Sequence, residues 1–145
     1  MKLAIALLAV LVIGTGLYVR LAPTDPARWQ LRPEMPEPGP GAWSDAAGFR
    51  TRVIVEGNPP SVLAALDALA RATPRTRRIA GSPGEGLATY ETRSALWGFP
   101  DYTTVAAEPA GTGTRLEIHA RQRFGRKDFG VNRARVDGWL ADLAP

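Results

Sequence analysis

The chain opens with an apolar stretch that predicts a membrane helix. Residues 3–19 are apolar except at Gly14, Thr15, Gly16 and Tyr18, and the stretch ends at Arg20. A helix of this length would span about 25 Å, close to the lower limit for crossing a bilayer. A cleaved signal peptide is the alternative, but the usual small-x-small cleavage pattern is poor here. We therefore expect an uncleaved anchor over residues 1–22.

Charges on the two sides of this stretch bear on its orientation. Lys2 and the α-amino group lie on one side, whereas Arg20, Arg28 and Arg32 lie on the other. Taken literally, the positive-inside rule would keep the rest of the chain in the cytoplasm. The very short basic start is typical of an export signal instead. We expect a single-pass protein of the inner (cell) membrane with its domain on the periplasmic side.

A proline-rich segment over residues 23–43 predicts a linker. Its six prolines fall between positions 23 and 40. Proline fixes φ and removes a hydrogen-bond donor, so an extended, semi-rigid spacer is expected. Two interpretations of Trp29, within this linker, stay open. It is either an interfacial anchor near the lipid headgroups or a side chain that docks back on the domain.

Hydrophobic periodicity over residues 44–145 predicts an α+β domain. Positions alternate over 49–56 as in a strand, and a helical stripe follows, capped by Ser61 and ended by Pro74. Further strands are expected over 77–80, 87–96, 102–107 and 114–124, and a last helix over 129–143. Short turns between the later strands imply antiparallel pairing. The expected fold is a curved antiparallel sheet with two helices packed on one face, preceded by the N-terminal transmembrane helix.

Composition narrows the chemistry. The chain has no cysteine, and its 18 Lys and Arg against 14 Asp and Glu give a net charge of +4. Disulfides and cysteine nucleophiles are excluded, and the charge is too mild to imply nucleic acid. The glycine-rich segment 81–86 has neither dinucleotide-binding nor Walker A spacing, so a hairpin turn is expected. His119 is the only histidine, and no acidic residue stands at ligand spacing, so we expect no metal, no cofactor and no catalytic residue.

The last predicted strand carries the most distinctive polar pattern. Period 2 places five side chains on one face, namely Arg115, Glu117, His119, Arg121 and Arg123. Glu91 and Arg93 share a face of another strand in the same way. If these faces coincide, cross-strand ion pairs on a solvated face are the common outcome. The functional alternative is an anion site in which Arg93 and Arg121 hold a carboxylate or phosphate, with Glu91, His119 and Arg123 beside them.

Basic residues also gather between positions 121 and 135. They are Arg121, Arg123, Arg126, Lys127, Arg133 and Arg135, with Asp128 the one acidic residue among them. Near an anionic membrane each cation could add about 1 kcal/mol of attraction. Asp128 is expected to cap the last helix, and Asp101 to shape a turn.

Two dense motifs carry a family resemblance. They are Thr92-Arg93-Ser94-Ala95-Leu96-Trp97-Gly98-Phe99-Pro100-Asp101-Tyr102-Thr103-Thr104 and the segment RFGRKDFGVNRARV over 123–136. With them the chain resembles, from about Phe49 to Leu143, the domain-of-unknown-function 1499 family of small bacterial and plastid proteins. Linker residues 25–29 are also similar to bacterial members. The family has no established activity, so the resemblance implies no catalytic residues. His119 stands where a tyrosine-like residue is expected, so no family role carries over to it.

Three functions remain open at this point. We expect a non-enzymatic, membrane-anchored accessory or binding module for an anionic small molecule, a lipid headgroup or a membrane-protein partner. The alternative is an enzyme of unknown reaction that uses the Arg, Glu and His side chains of the polar face. A third hypothesis is a scaffold subunit that contacts a membrane complex through Trp29 and the apolar anchor.

Overall fold

The computed structural model describes residues 1–143 and confirms the α+β fold. In chain order the elements are α1 (Lys2–Leu21), α2 (Pro26–Trp29), β1 (Gly41–Ser44), β2 (Gly48–Glu56), α3 (Pro59–Ala72), β3 (Thr76–Ser82), β4 (Leu87–Arg93), β5 (Pro100–Ala110), β6 (Gly113–Gln122) and α4 (Val131–Leu143). The six strands form one antiparallel sheet in the order β1-β2-β6-β5-β4-β3. The last two residues of the predicted domain range 44–145 lie outside the described part of the chain.

Three details of the strands and helices differ from the prediction, each for a local reason. Strand β4 ends at Arg93 because Ser94 N donates to Phe99 O at 2.9 Å and closes a loop. Helix α3 begins earlier than expected because Asn58 caps it, accepting from Ser61 N at 3.0 Å. Strand β1 was not predicted, since four residues are too few to display a periodicity.

Asp128 caps α4 as predicted. Its carboxylate accepts a hydrogen bond from Asn132 N at 3.2 Å, which satisfies a backbone donor that the first turn leaves free. The helix begins at Val131 rather than at Phe129, because Phe129 and Gly130 adopt φ of 53° and 77°. A right-handed helix does not include such angles, so these two residues form the turn that leads into α4.

Helices α3 and α4 pack on the same face of the sheet, the core face. The buried apolar side chains there include Phe49, Leu63, Leu66, Tyr90, Val105, Leu116, Ile118, Val136 and Trp139. Tyr90 and Trp139 meet edge to face with ring centroids 5.9 Å apart. Asp67 of α3 is also buried, and its carboxylate accepts from Tyr90 Oη at 3.0 Å and from Arg78 Nη1 at 2.9 Å. The core face thus combines apolar packing with paired charges, the second being Asp101 of β5, which pairs with Arg135 of α4 at 3.1 Å.

The opposite face of the sheet is crossed by the linker. After α1 the chain turns back, makes the single-turn helix α2, and contacts strands β4, β5 and β6 before it enters β1. Asp25 caps α2 by accepting from Ala27 N at 3.0 Å. The chain therefore has three layers, with two helices on one side of the sheet and the linker on the other.

Helix α1 is, within residues 1–143, the one helix long and apolar enough to cross a membrane. It has 20 residues with a mean hydropathy of 2.2 in its best window, and 6% of that window is buried. Residues 2–15 are exposed, whereas Val19 and the following Ala22 are only 4% and 7% exposed. Its length and composition fit a membrane anchor and equally a signal sequence.

Candidate functional site

The strand register brings the two predicted polar faces together. Glu91 pairs with Tyr102 of β5, and Tyr102 pairs in turn with Arg121 of β6. Partners across an antiparallel pair point to the same side of the sheet. His119 follows on the same side, next to Arg50 of β2. We call this surface the polar sheet face; it lies opposite the core face.

Trp29 of the linker docks on the polar sheet face. Its ring stacks on Tyr102 with centroids 4.0 Å apart and planes 20° apart. The Arg121 guanidinium lies 5.1 Å from the Trp29 ring centroid, within the range of a cation–π contact. The carbonyl oxygen of Trp29 accepts from Arg121 Nη2 at 2.6 Å and from Thr104 Oγ1 at 2.8 Å. Trp29 thus contacts the domain, the second of its two interpretations.

Other linker residues extend this contact on both sides of Trp29. Thr24 Oγ1 lies 3.0 Å from Glu91 Oε1 and 2.8 Å from Tyr102 Oη. Pro23 O accepts from Arg123 Nη1 at 3.0 Å, and Gln30 hydrogen-bonds with Thr89. The centre of the polar sheet face is therefore covered by the chain's own linker and is neither a solvated face nor an open site. Neither interpretation of the polar face predicted this cover; only the docking interpretation of Trp29 pointed to it.

Glu91 is the buried anion of this face, with 1% of its side chain exposed. It accepts from Arg77 Nε at 2.8 Å, from Arg93 Nη2 at 2.9 Å and from Thr24. Burial alone would raise the pKa of Glu91, but the hydrogen bonds from these three residues outweigh it and lower the pKa below the usual value. Glu91 therefore stays ionised and fixes both guanidiniums.

His119 lies where Arg50 and Arg121 converge. Burial lowers its pKa, and the nearby positive charges of these arginines add to the effect, so that the pKa is about 4. Arg121 Nη1 donates to His119 Nδ1 at 3.2 Å, and only an unprotonated Nδ1 can accept that bond. The imidazole is accordingly neutral at neutral pH, and it orients Arg121 without adding charge.

An open cleft of about 370 Å³ borders the polar sheet face at the end of α1. Its lining consists of Arg20, Arg75, Thr76, Arg77, Glu91, Arg93, Ser94 and Gly98. We call it the arginine cleft, because four guanidiniums surround it against one carboxylate. Arg93 Nη1 donates to Arg20 O at 3.2 Å and to Gly98 O at 3.0 Å, so Arg93 joins the end of α1 to the domain.

Two arginines of this cleft keep donors available for an anion. Among residues 1–143, Arg77 and Arg75 donate only through Nε, Arg77 to Glu91 and Arg75 to Arg93 O at 3.0 Å. Their Nη groups thus remain for an anion, and the planar guanidinium suits carboxylate and phosphate oxygens. Arg75 is held in the left-handed region at φ 59°, directly before β3.

The five predicted site residues fall into two groups. Arg93 and Glu91 line the arginine cleft, whereas Arg121 lies against Trp29, with His119 bonded to it, two strands and roughly 10 Å from Glu91. Arg123 lies between the linker and the Phe124 ring, 5.0 Å from its centroid. That these residues bind a ligand remains a prediction.

Sequence reasoning missed the other arginines of the cleft. Arg77 pairs with Glu91 in the β3–β4 register, so extending the face analysis to the short strand β3 would have found it. Arg20 and Arg75 gave no such signal, because one ends the apolar helix and the other lies in a turn. Within residues 1–143, no group of three or more His, Asp or Glu side chains is placed to hold a metal ion.

Comparisons with known proteins identify a family. The family model described as "Protein of unknown function (DUF1499)" matches residues 30–143. No curated protein matches the chain. A solved structure of an uncharacterized protein from Rhizobium leguminosarum is similar at 18% identity, with 89% of this chain and 82% of that chain covered and a TM-score of 0.36. Because the family model spans most of the chain, this protein belongs to the DUF1499 family.

Proposed function

We propose that this protein is a membrane-anchored, non-enzymatic binding module that holds the phosphate of an anionic lipid headgroup in the arginine cleft. The observation that carries the proposal is the position of the cleft, in which four arginines surround one carboxylate at the end of the apolar helix α1. In this proposal α1 is an uncleaved, single-pass anchor of the inner membrane, and the domain lies on its periplasmic side.

Electrostatics favours an anion in the cleft. Glu91 neutralises one of the four guanidiniums, and the remaining positive charges repel one another unless a counter-anion lies between them. Arg77 is 67% exposed at its side chain, so an incoming group can reach it without disturbing the core. A phosphate oxygen can accept from two guanidinium nitrogens at once.

Location argues for a lipid as the source of that anion. Arg20 stands in the last turn of α1, where a membrane-spanning helix leaves the hydrocarbon and meets the headgroups. Because Arg20 itself lines the cleft, the cleft opens at headgroup level when α1 spans the bilayer. A headgroup would then reach the cleft by lateral diffusion.

The alternative enzyme, acting through the polar sheet face, has less support. Of its candidate groups, Arg121 is held against Trp29, and the His119 imidazole is neutral and bonded to Arg121. A substrate would first have to displace the linker. The scaffold hypothesis, with Trp29 contacting a partner, meets the same obstacle, because Trp29 is stacked on Tyr102.

The proposal can be tested by native mass spectrometry of the full chain in detergent micelles that contain either phosphatidylglycerol or phosphatidylcholine. We expect phosphatidylglycerol adducts to dominate. The double variant Arg75→Gln/Arg77→Gln should lower the phosphatidylglycerol-bound fraction several-fold, because it removes two of the four cleft charges and leaves the Arg93–Glu91 pair in place.

Arg133→Gln is the matched control, because it removes one exposed guanidinium from α4, on the other side of the sheet. It should leave the bound fraction unchanged. Inorganic phosphate serves as competitor: displacement of the lipid by phosphate would mean that the cleft recognises the phosphate group alone. Equal lipid retention by the double variant and the parent protein would refute the proposal.

A further inference from the structure

The end of α1 is surrounded by exposed apolar side chains from the domain. The β4–β5 loop, residues 94–99, presents Leu96 at 77%, Trp97 at 42% and Phe99 at 36% exposure. Phe124, after β6, lies 6.3 Å from Phe99 and 6.3 Å from Tyr18 of α1, ring centroid to ring centroid. We call residues 94–99 the apolar loop.

The apolar loop is closed by hydrogen bonds and packs against α1. Ser94 N donates to Phe99 O at 2.9 Å, and Ser94 Oγ accepts from Phe99 N at 2.9 Å, so both ends of the loop are tied together. A Cβ on Gly16 would lie 3.3 Å from the Trp97 ring, which shows how closely the loop approaches the helix. Its apolar side chains thus point outward from a fixed backbone.

The loop lies deeper along α1 than the residue that marks the helix exit. Trp97 contacts the helix at Gly16, four residues before Arg20. At 1.5 Å per residue this places Trp97 about 6 Å further toward the middle of α1 than Arg20. If Arg20 lies among the headgroups, the Trp97 ring reaches the boundary of the hydrocarbon, where tryptophan is enriched.

The connection between helix and domain is too short to lift the domain away. Helix α1 ends at Leu21, and Pro23 O already accepts from Arg123 at 3.0 Å, while Thr24 contacts Glu91 and Tyr102. Two residues span at most about 7 Å. The proline-rich linker therefore does not act as a spacer between membrane and domain, and the domain must rest on the bilayer surface.

We infer that the apolar loop, with Phe124 beside it, inserts into the lipid interface and docks the domain on the membrane as one rigid unit with α1. Basic side chains suit the surrounding headgroups: Arg126 and Lys127, both exposed, come two and three residues after Phe124. We expect lipid rather than a protein partner at this surface, because the bilayer that surrounds α1 would also meet the loop packed against α1. This inference rests on the proposed anchoring by α1 and does not depend on ligand binding in the arginine cleft.

The absence of cysteine makes a depth measurement direct. Leu96→Cys, Ile54→Cys and Val10→Cys each create a single site for a nitroxide label on the full chain. Ile54 is the matched control, because it is an apolar residue that is 50% exposed. It lies near one end of β2, whereas Gly48, which pairs with Arg121, lies at the other end. Each labelled chain is reconstituted in vesicles of phosphatidylcholine and phosphatidylglycerol, and circular dichroism verifies its fold.

We expect the label at Leu96→Cys to collide with oxygen several-fold more often than with a water-soluble nickel complex, as at Val10→Cys, and the reverse at Ile54→Cys. A water-exposed label at Leu96→Cys beside a lipid-exposed one at Val10→Cys would overturn the inference and leave the anchor intact. A water-exposed label at Val10→Cys would overturn both. If the label at Leu96→Cys were shielded from both relaxation agents and showed spin–spin broadening, the loop would contact a second copy of the chain. That result would contradict insertion into lipid.

A second measurement needs no label. Lipids brominated near the headgroup end of the acyl chain should quench the tryptophan fluorescence of the parent protein more strongly than that of Trp97→Phe. Equal quenching would contradict insertion of the apolar loop. The fluorescence of Arg75→Gln/Arg77→Gln should be quenched as strongly as that of the parent protein. This variant therefore distinguishes a failure of loop insertion from a failure of the headgroup site.

Discussion

The two faces of the sheet are both covered by the chain, but by different physical means. The core face meets α3 and α4 through side chains such as Leu63, Leu66 and Ile118, each 0% exposed. The polar sheet face meets the linker through hydrogen bonds to backbone carbonyls and one aromatic stack at Trp29. Apolar burial scales with area and is non-directional, whereas each hydrogen bond contributes modestly and needs a correctly placed donor. The core face should therefore lose the most stability when buried volume is removed, and the polar sheet face should lose less from any single change, because several separate contacts hold the linker.

Loss of volume on the core face should give the largest effect. Leu66→Ala removes a fully buried side chain between α3 and the sheet, and we expect the free energy of unfolding to fall by about 3 kcal/mol. Denaturant unfolding of the full chain in mild detergent measures it. Leu31→Ala is the control, since the same change at a residue 56% exposed should cost well under about 1 kcal/mol. Equal losses would mean that burial of Leu66 does not stabilise the core face.

Removal of Trp29 should weaken the polar sheet face less and more locally. Trp29→Ala abolishes the stack on Tyr102 and the contact with Arg121 but keeps the backbone carbonyl that Arg121 binds. We expect a loss of about 2 kcal/mol, from one aromatic pair and one cation–π contact.

Trypsin provides the local measurement for Trp29→Ala. Cleavage after Arg28 should become several-fold faster, because the linker detaches while the core face stays packed. Leu31→Ala again serves as the control and should leave the cleavage rate unchanged. A slower or unchanged rate in Trp29→Ala would show that the stack does not hold the linker on the sheet.

His119 should make the stability of the polar sheet face depend on pH. Its pKa of about 4 in the folded chain lies below the ordinary value of 6.5, so the unfolded chain binds more protons between these values. The stability that the neutral His119 contributes is therefore fully present above pH 6.5 and is lost as the pH falls toward 4. The shift sets an upper bound of about 3 kcal/mol. Because His119 is only partly buried and Asp45 opposes the shift, we expect about 1 kcal/mol.

The matching variant is His119→Gln, which keeps an acceptor for Arg121 but does not titrate in this range. The difference in unfolding free energy between the parent protein and His119→Gln should shrink as the pH is lowered from 7 to 4. Carboxylates titrate in both proteins and cancel in this difference. A difference that does not change with pH would show that His119 is not held in the neutral form.

The core face could be predicted from the sequence, because its information lies in side-chain periodicity. The predicted strand over 114–124 and the helical stripe between Ser61 and Pro74 supply Leu116, Ile118 and Leu66, and all three are buried on the core face. The same periodicity grouped Glu91, Arg93, His119, Arg121 and Arg123 on the opposite side, and the register agrees for the four that lie within the paired strands.

What covers the polar sheet face could not be predicted in the same way. The groups that Arg121, Arg123 and Arg93 bind in the linker and α1 are carbonyls of Trp29, Pro23 and Arg20. Every residue has a carbonyl, so these partners leave no pattern in the sequence. Proline favours an extended backbone, but an extended chain can run away from a domain or across it. Trp29 was the one signal for docking, and it had two interpretations.

The smallest expected effect comes from removing one tyrosine hydroxyl, and the same change can be made on both faces of the sheet. Tyr102→Phe removes a hydroxyl 2.8 Å from Thr24 Oγ1, yet Thr24 still reaches Glu91 at 3.0 Å. We expect a loss of about 0.5 kcal/mol, because the remaining partner keeps its hydrogen bond. Tyr90→Phe removes the hydroxyl that donates to the buried Asp67 on the core face at 3.0 Å.

Removing a donor from a buried carboxylate costs more free energy than removing one from a neutral hydroxyl. Tyr90→Phe should therefore destabilise the protein by about 1.5 kcal/mol, even though Arg78 still pairs with Asp67. Denaturant unfolding of the two variants side by side gives the difference, with the aromatic ring and the lost atom held the same. If Tyr102→Phe proved the more costly, the hydroxyl on the polar sheet face would have to hold the linker more tightly than the retained Thr24–Glu91 bond allows. The linker contact would then depend mainly on Tyr102, and the expectation that several separate contacts limit the loss from any single change on the polar sheet face would be wrong.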